Sequence, residues 1–411
     1  MQTWHYIALV VRQKTSNSRN DMNNTVCKTR AIITAMLVAV FAMPANAGYR
    51  EQAKRMHDRI AGVPPSAAVL QQMEDAINPA LPGNAESAAV IAMDNVNFYN
   101  VTLKNFAAPW TNRDRSVFVP LNDYIATVIG MVRDDRPFNT LLSADITYVG
   151  RPGIVVAAPS ANNNLHYEQL EAGNINLRDE LEFTQQSLIN GLPTSATAGI
   201  ITSRAASQAF FVAGTNRAMF RFTMINHLCN DMQQVQDPAL PPDRIRQDVS
   251  RSPGGDSRLY LNNCIGCHTG MDPMTQAFAY YDYDEASGAL QYTAGNVQPK
   301  YFNNDQNFPQ GFRTPDDSWD NYWRRGQNRY LGFDPLLAGS GRGAKSLGQE
   351  LGNSQAFAAC QVKKVFQTIC LRSPEDSADR AKVDAITATF RGTGYHMKQV
   401  FADTAVYCMG T

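Results

Sequence analysis

The sequence predicts a mainly α-helical protein with long irregular loops. In its N-terminal third, in residues 204–232 and after residue 354, apolar side chains recur every three or four residues. This spacing is the primary signal of amphipathic helices. Residues 303–353 are instead rich in Gly, Asn, Asp and aromatic residues and show little periodicity, which predicts one long ordered loop.

The first predicted helices follow soon after residue 47. Apolar residues between Met56 and Val63 share one helical face, and the pair Pro64-Pro65 ends that helix. Ser66 then has the side chain of a helix N-cap, because its hydroxyl can accept a backbone N–H of the next turn. Residues 84–105 and 121–132 continue with amphipathic patterns, so the region after residue 47 should be a set of packed helices.

The rest of the chain divides into weaker and stronger helical patterns. Residues 150–200 predict loops around one short Leu-rich helix, and residues 204–232 predict a longer helical segment that ends before Pro238. Two apolar stripes predict helices near the C-terminus: Val362, Val365, Phe366 and Ile369, and then Val383, Ile386 and Phe390.

The N-terminus has the features of an export signal. Two basic residues precede an apolar run from Ala31 to Met43, and the small-residue sequence Ala45-Asn46-Ala47 follows. The run is shorter than the roughly 18 residues of a membrane-spanning helix. We therefore expect a signal peptide over residues 1–47, with translation from Met22 as an alternative start. The mature chain should be periplasmic or extracellular and have no stable transmembrane segment.

The mature chain of 364 residues is slightly acidic. The sequence has 37 Lys and Arg and 37 Asp and Glu; the first 47 residues hold five and one of these, which leaves a net charge of −4. No basic footprint indicates nucleic acid binding. We predict an N-terminal helical region over residues 48–202, a region over 203–302 that carries the motif described next, the loop over 303–353, and a C-terminal helical region over 354–411.

One motif carries specific chemistry: Cys264-Ile265-Gly266-Cys267-His268. In a Cys-x-x-Cys-His sequence the two thiols lie one helical turn apart and can form thioethers with haem vinyl groups, while the histidine becomes an axial iron ligand. The motif occurs once, so the sequence predicts one haem c per chain, bound through Cys264, Cys267 and His268.

Two other chemistries compete for the same residues. A redox dithiol or disulfide would need a surrounding βαβ pattern, which the sequence does not show. A zinc site would need two further ligands, for which His227 and Cys229 are the nearest candidates, at an unpersuasive spacing. Haem attachment is therefore the leading interpretation.

Six cysteines remain after residue 47. If haem takes two, the other four can form two disulfides in three possible ways, and the sequence does not choose between them. These four residues are Cys229, Cys360, Cys370 and Cys408.

The sequence does not identify the sixth iron ligand. Cytochromes use Met or a second His there, and His396, Met397 and His227 are the candidates, while Met271 and Met274 lie too close to His268 to reach the opposite haem face. A vacant position is a further alternative. Four arginines before the motif offer pairing with haem propionates: Arg244, Arg246, Arg251 and Arg258.

The segment Cys264–Pro273, followed by Tyr280-Tyr281-Asp282, resembles the haem segment of planctomycete-type cytochrome-domain proteins. Other stretches look like the remaining blocks of that family: Arg59–Pro65, Val132–Phe138, Leu142–Tyr148, Ser354–Cys370 and Phe390–Tyr407. The resemblance covers much of residues 53–408 in scattered motifs. It implies a periplasmic or surface haem protein with a helical c-type cytochrome-like domain, and it implies no particular reaction.

These observations lead to three functional hypotheses. The first is an exported monohaem c-type cytochrome that exchanges single electrons with redox protein partners and is more a carrier than a catalyst. The second is a haem-dependent oxidoreductase of peroxidase or oxygenase type with an open distal position. The third is a surface structural or assembly module that carries haem.

Overall fold

Helices and short strand pairs make up the computed structural model, which describes residues 47–212 and 214–410. It is about 53% helical, so the predicted mainly α class is confirmed. The predicted signal peptide over residues 1–47 lies, except for Ala47, outside the described residues. Within the described part, no helix is long and apolar enough to cross a bilayer.

The α-helices are numbered here in chain order. They are α1 (Tyr49–Ala61), α2 (Ala67–Ile77), α3 (Ala85–Met93), α4 (Lys104–Ala107), α5 (Asp123–Arg133), α6 (Leu165–Ala172), α7 (Leu177–Glu180), α8 (Ser187–Asn190), α9 (Arg204–Phe210), α10 (Arg217–Thr223), α11 (Ser257–Leu259), α12 (Ile265–Thr275), α13 (Gly343–Gly352), α14 (Gln355–Cys370), α15 (Ser377–Gly392) and α16 (Met397–Cys408). Three π-helical turns join some of them: Phe98–Leu103, Met224–Leu228 and Tyr260–Cys264.

Shorter elements connect these helices. The 3-10 turns are Ala108–Thr111, Phe138–Thr140, Gly199–Thr202, Pro253–Gly255, Gln276–Phe278, Pro299–Phe302, Tyr322–Arg324 and Gly326–Leu331. The strands are β1 (Thr147–Gly150), β2 (Leu181–Thr184), β3 (Tyr281–Asp284), β4 (Ala289–Tyr292), β5 (Ser318–Asp320) and β6 (Ser340–Arg342). They form three antiparallel pairs, β1 with β2, β3 with β4 and β5 with β6, in which Thr147 faces Thr184, Tyr281 faces Tyr292 and Ser318 faces Arg342.

Local sequence explains where several helices begin. The Ser66 hydroxyl accepts a hydrogen bond from the backbone N–H of Val69, so the predicted cap of α2 is present. Asn122 caps α5 in the same way through the N–H of Ile125. Each cap satisfies one of the N–H groups that a helix start leaves without an intrahelical partner.

The main core joins the two ends of the described chain. Helices α1, α2 and α3 pack on one another, and α16 packs on α1, α3, α14 and α15. Apolar residues at helical spacing on α14, including Val362, Val365 and Ile369, are fully buried, as the sequence pattern predicts. The described residues from Gly48 onwards form one compact unit.

Two disulfides connect parts of this core. Cys229 is bonded to Cys360, and Cys370 is bonded to Cys408. The structure thus selects one of the three pairings that the sequence leaves open. The second bond joins the C-terminal ends of α14 and α16.

Residues 303–353 differ from the predicted uninterrupted loop, because they include the β5–β6 pair and the ten-residue helix α13. Three glycines hide the helical pattern of α13 in the sequence, and close packing requires at least one of them. A Cβ atom on Gly348 would lie 1.8 Å from the carbonyl oxygen of Leu142. Glycine is unfavourable in a helix on intrinsic propensity, but here it allows the helix backbone to touch a neighbouring segment.

Candidate haem attachment site

The Cys-x-x-Cys-His motif lies where a helix enters the core from the surface. Asp256 caps α11 by accepting the N–H of Arg258, and the π turn Tyr260–Cys264 connects α11 to α12. Residues 261–263 are exposed, whereas residues 269–281 are buried. The motif therefore occupies the boundary between solvent and the protein interior, and π turns of this kind are frequent at functional sites.

Close packing holds α12 at this boundary. A Cβ atom on Gly270 would lie 2.0 Å from Nε1 of the fully buried Trp323, so glycine permits the helix to contact the 3-10 turn Tyr322–Arg324 directly. The helix also packs on α10 and β5. These contacts fix the direction in which the motif side chains leave the helix.

The two motif cysteines are partly exposed and, unlike the other four cysteines of the described residues, form no disulfide. Cys264 and Cys267 are three residues apart on adjoining helical turns, and this spacing places their side chains on one face. Burial raises the pKa of the Cys267 thiol, and the negative charge of Asp231 adds to this effect. The Cys267 thiol also lies 3.6 Å from the carbonyl oxygen of Met232, and neither motif sulfur is part of a disulfide.

His268 is oriented by a carboxylate on its own helix. Its Nδ1 atom lies 3.1 Å from Oδ1 of Asp272, one turn later, and its side chain retains 18% of its exposure. An ionised carboxylate only accepts hydrogen bonds, so the proton resides on Nδ1 and the lone pair of Nε2 is free to bind iron.

Asp272 belongs to a buried ion-pair network. The Arg217 guanidinium contacts Asp272 at 2.7 and 3.0 Å and Asp248 at 2.7 and 2.9 Å. Burial alone would raise the pKa of Asp272, but Arg217 and His268 hold it well below its ordinary value. Asp272 is therefore ionised, which meets the condition for the Nδ1 proton assignment.

All four arginines before the motif already have protein partners. Arg244 pairs with Asp320, Arg251 donates to the carbonyl oxygens of Val249 and Ile245, and Arg258 pairs with Asp256. The fourth, Arg246, is 1% exposed and contacts Thr215 and, at 3.9 Å, Asp248. The side chain of Arg258 is 82% exposed, against 24% for Arg244, so its ion pair is the more accessible to solvent.

His227, one of the distal candidates, is enclosed by the core. Its ring lies edge-on to Trp110 and stacked with Phe357, and its Nε2 atom lies 2.6 Å from the Tyr124 hydroxyl. Burial, with Lys364 nearby, holds the pKa of His227 well below its ordinary value. These contacts make His227 a neutral packing residue in the described structure.

His396 and Met397 lie at the start of α16. The Nδ1 atom of His396 is 2.9 Å from the carbonyl oxygen of Asp135, and Met397 is buried. Since α16 packs mainly on α1, α3, α14 and α15, and α12 packs on other elements, the contacts of these two candidates do not bring them to His268.

The zinc and dithiol alternatives differ in what the described residues offer them. The ligands that a zinc site would recruit are engaged elsewhere, because Cys229 forms a disulfide and Nε2 of His227 contacts Tyr124. The residues described also contain no group of three or more His, Cys, Asp or Glu that could hold a metal ion. The strands that follow the motif in the chain, β3 and β4, form an antiparallel hairpin rather than a βαβ unit.

The donor set fits a covalently attached haem. It consists of two unpaired thiols and an imidazole whose Nε2 atom is free, all on one helical segment. Two exposed apolar side chains, Leu259 and Leu261, lie just before Cys264. Such side chains suit the apolar macrocycle, since burying them against it removes apolar surface from water.

Comparison with known proteins gives no relative: no family model, no curated protein and no solved structure matches the chain. The resemblance to planctomycete-type cytochrome-domain proteins therefore stays a prediction.

Sequence reasoning singled out Cys264, Cys267 and His268 as candidate attachment residues but missed the residues behind them. Asp272 has a readable signal, because a carboxylate four residues after a helical histidine lies on the same face. Arg217 and Asp248 have no such signal, since they are separated from their partners by 55 and 31 residues.

Proposed function

We propose that this chain is an exported c-type cytochrome that carries one haem and transfers single electrons. Cys264 and Cys267 would hold the porphyrin through thioethers, and Nε2 of His268 would bind iron. The observation that carries the proposal is the combination on one helical segment of two unpaired, partly exposed thiols and an imidazole with a carboxylate partner.

Export is part of the proposal. The two disulfides support it, because disulfides form and persist in oxidising compartments such as the periplasm. The apolar run and the Ala45-Asn46-Ala47 sequence support it independently. Redox protein partners in the same compartment would supply and receive the electrons. We include membership of the planctomycete-type cytochrome-domain family in the proposal, on the motif blocks quoted above.

The first experiment is expression with periplasmic export and haem-maturation machinery, followed by a pyridine haemochrome on the denatured chain. We expect the spectrum of a covalent c-type haem at one haem per chain. A haem that is extracted by acid and organic solvent, or no haem at all, would refute the proposal.

A second candidate function is a haem-dependent oxidoreductase with an open distal position. The locations of His227, His396 and Met397 favour it, because each has its contacts in another part of the core. Iron without a sixth protein ligand can bind small molecules.

Carbon monoxide separates the two functions. An unchanged spectrum of the reduced protein under carbon monoxide supports a six-coordinate electron carrier. A large shift supports the open site and favours the oxidoreductase, which should then be tested for turnover with hydrogen peroxide and a one-electron donor.

A further inference from the structure

We propose that Asp272 is a positioning residue for the iron ligand: it fixes the His268 ring and makes Nε2 a stronger donor to haem iron. The inference rests on the proposed haem attachment and goes beyond it, because it predicts how the chain sets the potential of the iron.

The carboxylate of Asp272 is held at both oxygens. Oδ1 lies 3.1 Å from Nδ1 of His268 and 2.7 Å from Nε of Arg217, and Oδ2 lies 3.0 Å from Nη2 of Arg217 and 3.3 Å from the backbone nitrogen of Arg246. Its side chain has no exposure to solvent. A carboxylate with these partners cannot rotate freely, so the histidine that it contacts has a fixed ring orientation.

Arg217 is itself anchored from another direction. Its guanidinium forms two hydrogen bonds with Asp248, which lies in the segment between α10 and α11, while Arg217 is the first residue of α10. Three separate parts of the chain therefore converge behind His268. Arg246 adds a second buried positive charge beside Asp248, so two carboxylates face two guanidinium groups.

Stability alone does not account for this network of buried charges. A buried ion pair contributes little net stability, because the loss of hydration offsets the attraction between the charges. A carboxylate that accepts the second N–H of a ligating histidine, however, fixes the tautomer and raises the basicity of the ligand. More basic imidazole stabilises ferric iron relative to ferrous iron, so the network should lower the reduction potential.

The test compares two substitutions of buried aspartates. Asp272→Asn keeps the size of the side chain and removes its charge. Asp237→Asn is the matched control. Asp237 is also buried, and its backbone N–H donates to the carbonyl oxygen of Gly266 in the motif. Its Oδ1 atom accepts the backbone N–H of Ala239, and its side chain does not contact His268. Both substitutions remove one negative charge close to the motif, and Asp272→Asn alone alters the partner of the histidine.

We expect Asp272→Asn to raise the midpoint potential so that the ratio of reduced to oxidised protein at a fixed potential increases at least tenfold, which is about 59 mV for one electron. Asp237→Asn should change this ratio less than threefold. Equal shifts in the two variants would show that only local charge matters and would overturn the inference. An unchanged potential in Asp272→Asn would overturn it as well.

A measurement on the unmodified protein covers the case in which Asp272→Asn does not fold. In the reduced, diamagnetic protein, with carbon monoxide added if it binds, the Nδ1 proton of His268 should give a resolved signal that exchanges slowly with solvent. Rapid exchange would contradict the contact with Asp272.

The haemochrome distinguishes failure of the proposed function from failure of this inference. Without covalent haem both fail. If covalent haem is present and the two variants have equal potentials, only this inference fails.

Discussion

The π turns Met224–Leu228 and Tyr260–Cys264 each contain or adjoin a histidine and a cysteine, but their surroundings differ. At the first turn, His227 is 1% exposed and Cys229 is bonded to Cys360. Aromatic rings surround the histidine, and its Nδ1 atom is buried without a hydrogen-bond partner. Both side chains are therefore used for packing and cross-linking.

At the second turn, the corresponding side chains remain available. Cys264 and Cys267 are unpaired, and His268 is partly exposed with its Nδ1 atom directed to Asp272. The two regions show that residue type alone does not assign a role. Burial and the identity of the partner distinguish the two regions, and under the proposed function they separate side chains that serve the core from side chains that bind haem.

The largest expected difference between the two regions is in haem attachment. Replacing Cys264 and Cys267 together by Ser should abolish covalent haem, because the thioether-forming sulfurs are lost. Replacing Cys229 and Cys360 by Ser should leave one covalent haem per folded chain. Mass spectrometry of the denatured proteins measures both results. Covalent haem in the first variant would contradict the assignment of the second turn as the attachment site.

The second difference is in stability. Replacing Cys229 and Cys360 by Ser should lower the free energy of unfolding by about 2–5 kcal/mol, because the bond closes a long loop in the unfolded chain. Urea denaturation monitored by circular dichroism measures the change. The variant in which Ser replaces Cys264 and Cys267 is compared with the unmodified protein, both without haem. Their free energies of unfolding should differ by less than about 1 kcal/mol, as is usual for partly exposed positions. Equal losses in the two variants would remove the distinction between structural and attachment cysteines.

The sequence predicted those parts of the molecule whose signals are local. The mainly α class, the cap at Ser66 and the buried stripe of α14 depend on residues a few positions apart. The Cys-x-x-Cys-His motif, on which the haem proposal rests, is local too. The spacing of His268 and Asp272 is equally local, but the sequence interpretation did not use it. The disulfide pairing was undetermined, because all three pairings agree with the sequence and only the fold brings Cys229 to Cys360.

Other features depend on contacts between distant segments. Helix α13 was not predicted, because glycine disfavours a helix by its intrinsic propensity. Gly348 is needed there because the helix backbone lies close to Leu142. The Arg217 anchor of Asp272 has no sequence signal, since nothing in the spacing relates α10 to α12. The distal candidates illustrate the same limit: His227 and His396 are suitable ligands by type, and their partners in the fold are what distinguish them from His268.

The smallest expected effect is on the pH dependence of stability. Burial holds the pKa of His227 well below its ordinary value, and burial also lowers the pKa of His57 and His166. The folded protein then binds fewer protons than the unfolded chain below about pH 6.5, the ordinary value for histidine. The contribution of these histidines to the free energy of unfolding should be fully present above that pH. It should decrease as the pH falls, by up to about 1.4 kcal/mol per pH unit for each such histidine.

Replacing His227 by Gln isolates its share of this decline. Glutamine can still bond to the Tyr124 hydroxyl but does not titrate near neutral pH. The free energy of unfolding is measured between pH 7.5 and 5.0 in haem-free protein, so that the proposed binding of iron by His268 does not contribute. We expect a shallower decline in His227→Gln than in the unmodified chain, whatever the change in absolute stability. Identical slopes would mean that His227 takes up a proton within the folded core, and the contrast between a packing histidine and a ligand histidine would then lose its physical basis.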